Sequence, residues 1–187
     1  KVANCVFRDN QATQDGGAVD NHLSAPLFLN CLFTENRAQG AGGMKNSQGD
    51  AVSVNCVFVG NAANVGGAVV NSLCSPTMTN CILWGNEAWT SPEIYIYDGS
   101  PAISFSCVAG GWPGEGNIAD DPMLVGVPSG SLQLMAGSPC LDAGTAEGAT
   151  AADFLGRPRP QGAGVDMGAY EGAVAAEDVV TLTVSVE

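Results

Sequence analysis

The chain has 187 residues, of which 45% are hydrophobic and 13% are charged, and it contains 25 glycines. This composition excludes a disordered tail and a charged helical bundle, and it favours turn-rich β structure. The length suits one domain or one repeat array. Six basic against nineteen acidic residues give a net charge of −13, which argues against binding to nucleic acids or anionic membranes. No apolar run approaches the roughly 20 residues that span a bilayer, so we expect no direct membrane insertion.

The first part of the chain repeats at intervals of 25 or 26 residues. A column of Asn-Cys pairs, continued by Ser106-Cys107, contains Asn4, Asn30, Asn55 and Asn80 and the cysteines Cys5, Cys31, Cys56, Cys81 and Cys107. Two further asparagine columns contain Asn10, Asn36, Asn61 and Asn86, and Asn21, Asn46 and Asn71. Glycine pairs at 16–17, 42–43 and 66–67 fall between these two columns. Several columns with one period indicate a repeat architecture.

The local patterns within each repeat predict strands. Apolar residues alternate with period two, as at Leu29, Cys31 and Phe33, and glycine pairs disfavour helices. If each repeat is one coil of a parallel β-solenoid, equivalent asparagines stack at ~4.8 Å and hydrogen-bond along the stack as ladders. The glycines then supply positive φ at a corner.

Two motifs in these repeats resemble a known family. Phe-x-x-Asn at 7–10, 33–36 and 58–61 and Gly-Gly-Ala-Val at 16–19 and 66–69 resemble the repeats of polymorphic outer-membrane proteins, and the resemblance covers residues 1 to about 108. The fourth repeat departs from the pattern with Leu83 for Phe and Ser91-Pro92 for Gly-Gly. The resemblance implies a right-handed parallel β-helix with ~25-residue coils, which we place at residues 1–119.

A second resemblance lies further along the chain. The stretches DDPMLVG, GSLQLMAGSPCLDAG and DFLGRPRPQGAGVDMGAYEG are similar to the choice-of-anchor Q region of secreted bacterial β-helix proteins. It implies a secreted or cell-surface protein of bacterial type and an irregular C-terminal cap at 120–172. Three aspartates near glycines, Asp142, Asp153 and Asp166, are expected to close turns, and Arg157, Arg159 and Glu171 are expected to be structural as well. The alternative is that these residues form an active cluster.

The cysteine column is expected to contain buried free thiols. A line of thiols does not converge tetrahedrally as zinc requires, and in-register parallel side chains are poorly oriented for disulfides. Cys74 and Cys140 lie outside the column, and a bridge between them is left open.

Asp9 and Glu35 occupy equivalent positions in successive coils and form a candidate calcium site, with a solvated edge as the alternative. Asp20 and Lys45 are also equivalent and are expected to pair across coils. No cofactor is otherwise expected. No basic residue is evidently placed as the general base of an elimination, so no catalytic residues are predicted.

An aromatic cluster is the candidate ligand-binding surface for a carbohydrate or a partner protein. It contains Trp84, Trp89, Tyr95, Tyr97 and Trp112. If Ile94 and Ile96 point inward, alternation places Tyr95 and Tyr97 outward, where flat rings can stack on sugars. The alternative is that the C-terminal region covers these rings.

The two ends form a candidate assembly surface. The first strand, with Val2, Asn4 and Val6, is expected to be an open edge, and the tail at 173–187 is expected to be a linker and a β-strand in which Val180, Leu182, Val184 and Val186 alternate with polar residues. Head-to-tail pairing of these edges would generate a filament. The alternatives are a following domain and pairing within the chain. The first residues lack signal-peptide features, so the chain is either a mature product or a segment of a longer one.

These observations favour a non-catalytic, extracellular structural or adhesive β-helix module that assembles with itself or contacts a glycan or other cell-surface partner. The alternative is a polysaccharide-binding or polysaccharide-degrading protein of the lyase or hydrolase type, which rests on fold analogy.

Overall fold

The protein is a parallel β-solenoid of about four coils. The computed structural model describes residues 1–125 and 131–174, and within them the chain is all-β. Three parallel sheets run along the stack, and each complete coil contributes one short strand to each sheet. No helix in the described residues is long and apolar enough to cross a membrane. The repeat architecture and coil length predicted from the asparagine columns are confirmed.

The first two sheets each have five strands. Sheet 1 contains β1 (Val2–Ala3), β4 (Leu27–Leu29), β7 (Val52–Val54), β10 (Thr77–Thr79) and β13 (Ala102–Ser104). Sheet 2 contains β2 (Val6–Arg8), β5 (Leu32–Thr34), β8 (Val57–Val59), β11 (Ile82–Trp84) and β14 (Cys107–Val108).

The third sheet has only four strands, because the fifth coil contributes none to it. Sheet 3 contains β3 (Val19–His22), β6 (Met44–Ser47), β9 (Val69–Ser72) and β12 (Ile94–Asp98). The first coil and β12 are therefore at the two edges of this sheet. A separate two-stranded parallel sheet in the C-terminal region pairs β15 (Leu134–Met135) with β16 (Ala173–Val174).

The interior of the solenoid is an apolar core with residues stacked in register. Phe7, Phe33 and Phe58 form a column of parallel rings, with centroids 4.8 and 4.4 Å apart, and Leu83 continues it. Phe28 from sheet 1 and Met44 from sheet 3 pack into the same core. Stacking of identical side chains follows from the in-register pairing, since each coil repeats its inward positions.

A second apolar core lies on the outer face of sheet 2, against the C-terminal region. Leu32, Val57 and Ile82 alternate with the inward-facing ring column and therefore point outward. They pack with residues of the C-terminal region, including Leu132, Leu134, Met167, Ala169 and Tyr170. Val6, the equivalent residue of the first coil, is 53% exposed, so the C-terminal region covers the later coils and leaves the first uncovered.

Carboxylates organise the C-terminal region as the sequence predicts, by accepting hydrogen bonds from backbone amides. Asp153 Oδ1 accepts from the amides of Leu155 and Arg157, both at 2.8 Å. Asp166 accepts from the amides of Asp142 and Gly172, both at 2.7 Å. Such contacts close tight turns in a segment that has little regular structure.

A buried ion pair lies at the centre of this region. Arg159 Nη1 donates to Glu171 Oε1 at 2.6 Å, and the two side chains are 1% and 0% exposed. Glu171 also accepts from the backbone amides of Asp166 and Gln161, at 2.8 and 3.0 Å. The fully buried carboxylate is thus satisfied by a cation and two amides.

Candidate functional site

A concave surface lies at the C-terminal end of the coil stack. It is a groove of about 620 Å³ lined by residues 84–86, 91–94 and 108–112. The groove opens where the fifth coil leaves sheet 3: the chain turns after Val108 through Gly110 and Gly111, which have φ of 78° and 84°, instead of forming a fifth strand beside β12. We name this surface the terminal groove.

Two of the five predicted aromatic residues, Trp84 and Trp112, line the terminal groove. Trp84 is the last residue of β11, is half-buried, and packs against the outer core. Trp112 is half-buried and packs against the inner core. Each indole is therefore held by one of the two cores, which limits its motion and leaves part of its surface accessible.

The other three predicted aromatics are not among the residues that line the groove. Trp89 and Tyr97 are 88% and 72% exposed. Tyr95 is half-buried on β12, and Ile94 and Ile96 contribute to the inner core, so the predicted alternation along this strand is observed. The structure thus divides the cluster into two groove-lining indoles and three rings elsewhere on the surface.

Glu93 is a groove residue that sequence reasoning missed. It lies one position before Ile94, in the inward-facing column occupied in earlier coils by Ala18, Gly43 and Ala68. A carboxyl group thus replaces a methyl group or a hydrogen atom at a core position. Glu93 could have been found by aligning it with this column. The alignment is hard to recognise in the sequence, because Ser91 and Pro92 replace the glycine pair that marks this part of the earlier repeats.

The Glu93 carboxyl group ends an asparagine ladder. Asn10, Asn36 and Asn61 each donate from Nδ2 to the Oδ1 of the next asparagine at 2.8 Å, and the ladder reaches Asn86. The fifth coil has no asparagine at the equivalent position. Asn86 Nδ2 therefore donates to Glu93 Oε2 at 2.5 Å, and the backbone amide of Asn86 donates to Glu93 Oε1 at 3.3 Å. Burial raises the pKa of Glu93 to about 7, against the opposing effect of these hydrogen bonds.

This shift gives a testable dependence of stability on pH. The pKa of Glu93 rises from 4.5 to about 7 on folding, so the folded state binds the proton more tightly. Its contribution is therefore largest below pH 4.5 and is lost as pH rises to about 7, by up to about 3 kcal/mol. Glu93→Gln, which cannot ionise, is expected to lack this loss. Urea unfolding of both proteins at pH 5 and pH 8 measures it; equal changes in the two proteins would contradict the assignment.

The other two asparagine columns differ from each other. Asn21 donates to Asn46 and Asn46 to Asn71, both at 2.9 Å, which is the predicted ladder. The Asn4 column is only partly a ladder. Asn30 donates to Asn4 at 3.1 Å, but the later asparagines bond mainly to the C-terminal region.

The contacts of this column to the C-terminal region correct the prediction of a complete ladder. Asn80 donates to the carbonyl of Thr145 at 2.9 Å and accepts from its amide at 2.8 Å. Asn55 donates to the carbonyl of Gly168 at 3.2 Å. These asparagines have φ of 50–54° at the corner between sheets 1 and 2, so their side chains point out of the stack, toward the segment that covers them.

The predicted cysteine column is buried, but its last member is different. Cys31, Cys56 and Cys81 lie in the inner core, and the half-buried Cys5 packs against it. The Cys81 amide donates to Ser106 Oγ at 3.0 Å, just as the Cys31 amide donates to Cys56 Sγ at 3.4 Å. Ser106 therefore continues the column, and Cys107, in register with Ile82, faces the outer core.

Of the predicted acidic pair, Asp9 and Glu35, the second residue forms an ion pair with Arg8. Arg8 Nε donates to Glu35 Oε2 at 2.8 Å, while Asp9 is exposed at the equivalent corner. Within residues 1–125 and 131–174, no group of three or more His, Cys, Asp or Glu side chains is arranged to hold a metal. Asp20 and Lys45 are in register as expected, but the Lys45 ammonium group pairs with Asp15 and not with Asp20.

The predicted assembly residues are described only at one end. Val2 and Val6 lie in the edge strands β1 and β2, and Asn4 lies at the corner between them. Val180, Leu182, Val184 and Val186 lie outside the described residues, so head-to-tail pairing stays a prediction.

In comparisons with known proteins, no family model matches the chain, and no curated protein and no solved structure shows significant similarity to it.

Proposed function

We propose that this protein is a non-catalytic, extracellular β-solenoid module that adheres to neutral glycans through the terminal groove. The observation that supports the proposal most is the combination of two core-held indoles with a buried carboxyl group in one groove. The extracellular location is supported by the resemblance of the repeat motifs and of residues 120–172 to polymorphic outer-membrane protein repeats and to the choice-of-anchor Q region.

The size and chemistry of the groove suit a short stretch of sugar residues. A volume of about 620 Å³ lies within the range of small-ligand sites. Indole faces stack on the apolar faces of sugar rings. The net charge of −13 disfavours polyuronates, so a neutral glycan fits better.

The residues that line the groove favour binding over cleavage. Glycoside hydrolysis generally uses two carboxyl groups on opposite sides of the scissile bond, and Glu93 is the one carboxylate among the lining residues. Elimination from a uronate uses a basic residue, and the lining residues include no Lys, Arg or His. The second candidate, a lyase or hydrolase, therefore lacks a specific observation in its favour.

Trp112→Ala is the test of this proposal. Loss of a stacking indole is expected to weaken binding to a retained neutral polysaccharide about tenfold or more, equivalent to about 1.4 kcal/mol. The measurement is affinity electrophoresis with a panel of neutral and acidic polysaccharides, followed by calorimetry with the best ligand.

Trp89→Ala is the matched control, because Trp89 is 88% exposed and does not line the groove. It is expected to bind like the unmodified protein. Thermal unfolding of both variants separates lost binding from lost folding. If no neutral polysaccharide is retained, or if both variants lose binding equally, the proposed site is wrong.

A further inference from the structure

The repeat pattern assigns Cys107 to the inner cysteine column, but the structure places it elsewhere. In sheet 2 it pairs in register with Ile82, whose side chain points outward, so Cys107 leaves the inner column and enters the outer core. Its Sγ donates to the carbonyl of Asp120 at 3.3 Å, and the side chain is fully buried. The last coil thus directs a thiol toward the C-terminal region.

Cys140 belongs to the C-terminal region and to the same outer core. Cys140 is fully buried in the outer core with Cys107. Its backbone is held on both sides: its amide donates to Ser138 Oγ at 3.1 Å, and its carbonyl accepts from the Met167 amide at 3.0 Å. Both thiols are free in the structure, and hydrogen bonding with the Cys140 side chain is the first cause that raises the pKa of Cys107, followed by burial.

We propose that Cys107 and Cys140 form a disulfide that fixes the C-terminal region to the last coil of the solenoid. The bridge joins two segments that already share the outer core. It supplies a covalent link between the coil stack and a region that has little regular structure. The four cysteines of the inner column lie at equivalent positions of successive coils, where in-register side chains are poorly oriented for disulfides.

The oxidant in this proposal is an external disulfide, such as oxidised glutathione or a disulfide oxidoreductase. One cysteine thiolate attacks it, which breaks its S–S bond, forms a mixed disulfide and releases one thiol. The second cysteine thiolate attacks the mixed disulfide, which forms the Cys107–Cys140 bond and releases the second thiol. Two protein thiols are thus oxidised, one external disulfide is reduced, and the thiol protons pass to the released thiols. Because both cysteines become fully buried, exchange takes place before the C-terminal region closes.

The test is refolding of the full chain in a mixture of oxidised and reduced glutathione, followed by alkylation in denaturant and non-reducing peptide mass spectrometry. The expected result is one linked peptide pair that contains Cys107 and Cys140. Reduction is expected to lower the melting temperature by roughly 5–10 °C. Cys107→Ser is expected to lose both the linked pair and the effect of reduction.

Cys74→Ser is the matched control, because Cys74 is buried elsewhere and its Sγ donates to the carbonyl of Asn46 at 3.5 Å. This variant is expected to keep the linked pair. A Cys74–Cys140 link, which the sequence leaves open, would overturn the proposal. Complete alkylation of Cys107 and Cys140 in the refolded protein would also overturn it, and this readout needs no variant to fold.

Discussion

Arg159→Ala is expected to lower the free energy of unfolding by about 3–5 kcal/mol, because it removes one partner of a fully buried ion pair. Glu171 would keep its two backbone donors but lose its cation in a site that excludes water. Arg159 also donates to the carbonyl of Gly168 at 3.0 Å, so the same change removes a contact within the segment that covers sheet 2. We therefore expect the C-terminal region to loosen first.

Arg8→Ala is the control for this variant, since it breaks an Arg–Glu pair of similar geometry at the surface. The Arg8 and Glu35 side chains are 44% and 34% exposed, so this variant is expected to lose less than about 1 kcal/mol. Urea unfolding measures both variants, and hydrogen exchange locates the loosened segment. Equal losses in the two variants would show that burial does not set the strength of the Arg159 pair.

Asn61→Ala is expected to cost several kcal/mol, because Asn61 is the fully buried centre of the ladder. Its Oδ1 accepts from the amide and the Nδ2 of Asn36, at 3.1 and 2.8 Å. Its own Nδ2 donates to the carbonyl of Phe33 at 2.8 Å. Removing the side chain takes one hydrogen-bond partner from each of these buried groups, and the backbone amide of Asn36 loses its Asn61 acceptor, at up to about 1–3 kcal/mol for each buried group left unsatisfied. Thermal or urea unfolding measures the loss.

Asn10→Ala is the matched control within the same ladder. Asn10 is exposed at the ladder's first position and donates to Asn36 without accepting from an earlier asparagine. We expect it to lose about 1 kcal/mol or less. Similar losses at Asn10 and Asn61 would mean that the ladder does not derive its strength from buried, cooperative hydrogen bonding.

The fold could be predicted from the sequence because the residues of a solenoid repeat once per coil. Asn36 and Asn61 can bond only if their coils stack in register, so their spacing is direct evidence of the architecture. The predicted register was wrong at the last coil, where the Asn-Cys pattern and the position of the corner disagree. Ser106-Cys107 looks like Asn-Cys, but the corner with positive φ is at Phe105, and the strand pairs Met78 with Ile103, which shifts Cys107 by one position.

The site was predictable only in part, for two physical reasons. Trp84 and Trp112 could be found as aromatics, but their selection from five candidates depends on where the fifth coil leaves sheet 3, which no local pattern encodes. Similarly, Asn80 finds its partner 65 residues away in the C-terminal region. A period describes contacts between neighbouring coils and carries no information about a segment that packs across them.

The direction of the ladder makes the number of coils adjustable. Each internal asparagine accepts from the coil before it and donates to the coil after it, so any two neighbouring coils could accommodate a third between them. The C-terminal region contacts the corners at Asn30, Asn55 and Asn80, which restricts such an insertion to the part ahead of Asn30. A coil added there would lengthen the stack by ~4.8 Å and leave the terminal groove unchanged. The number of coils thereby sets the distance between the first coil and the terminal groove.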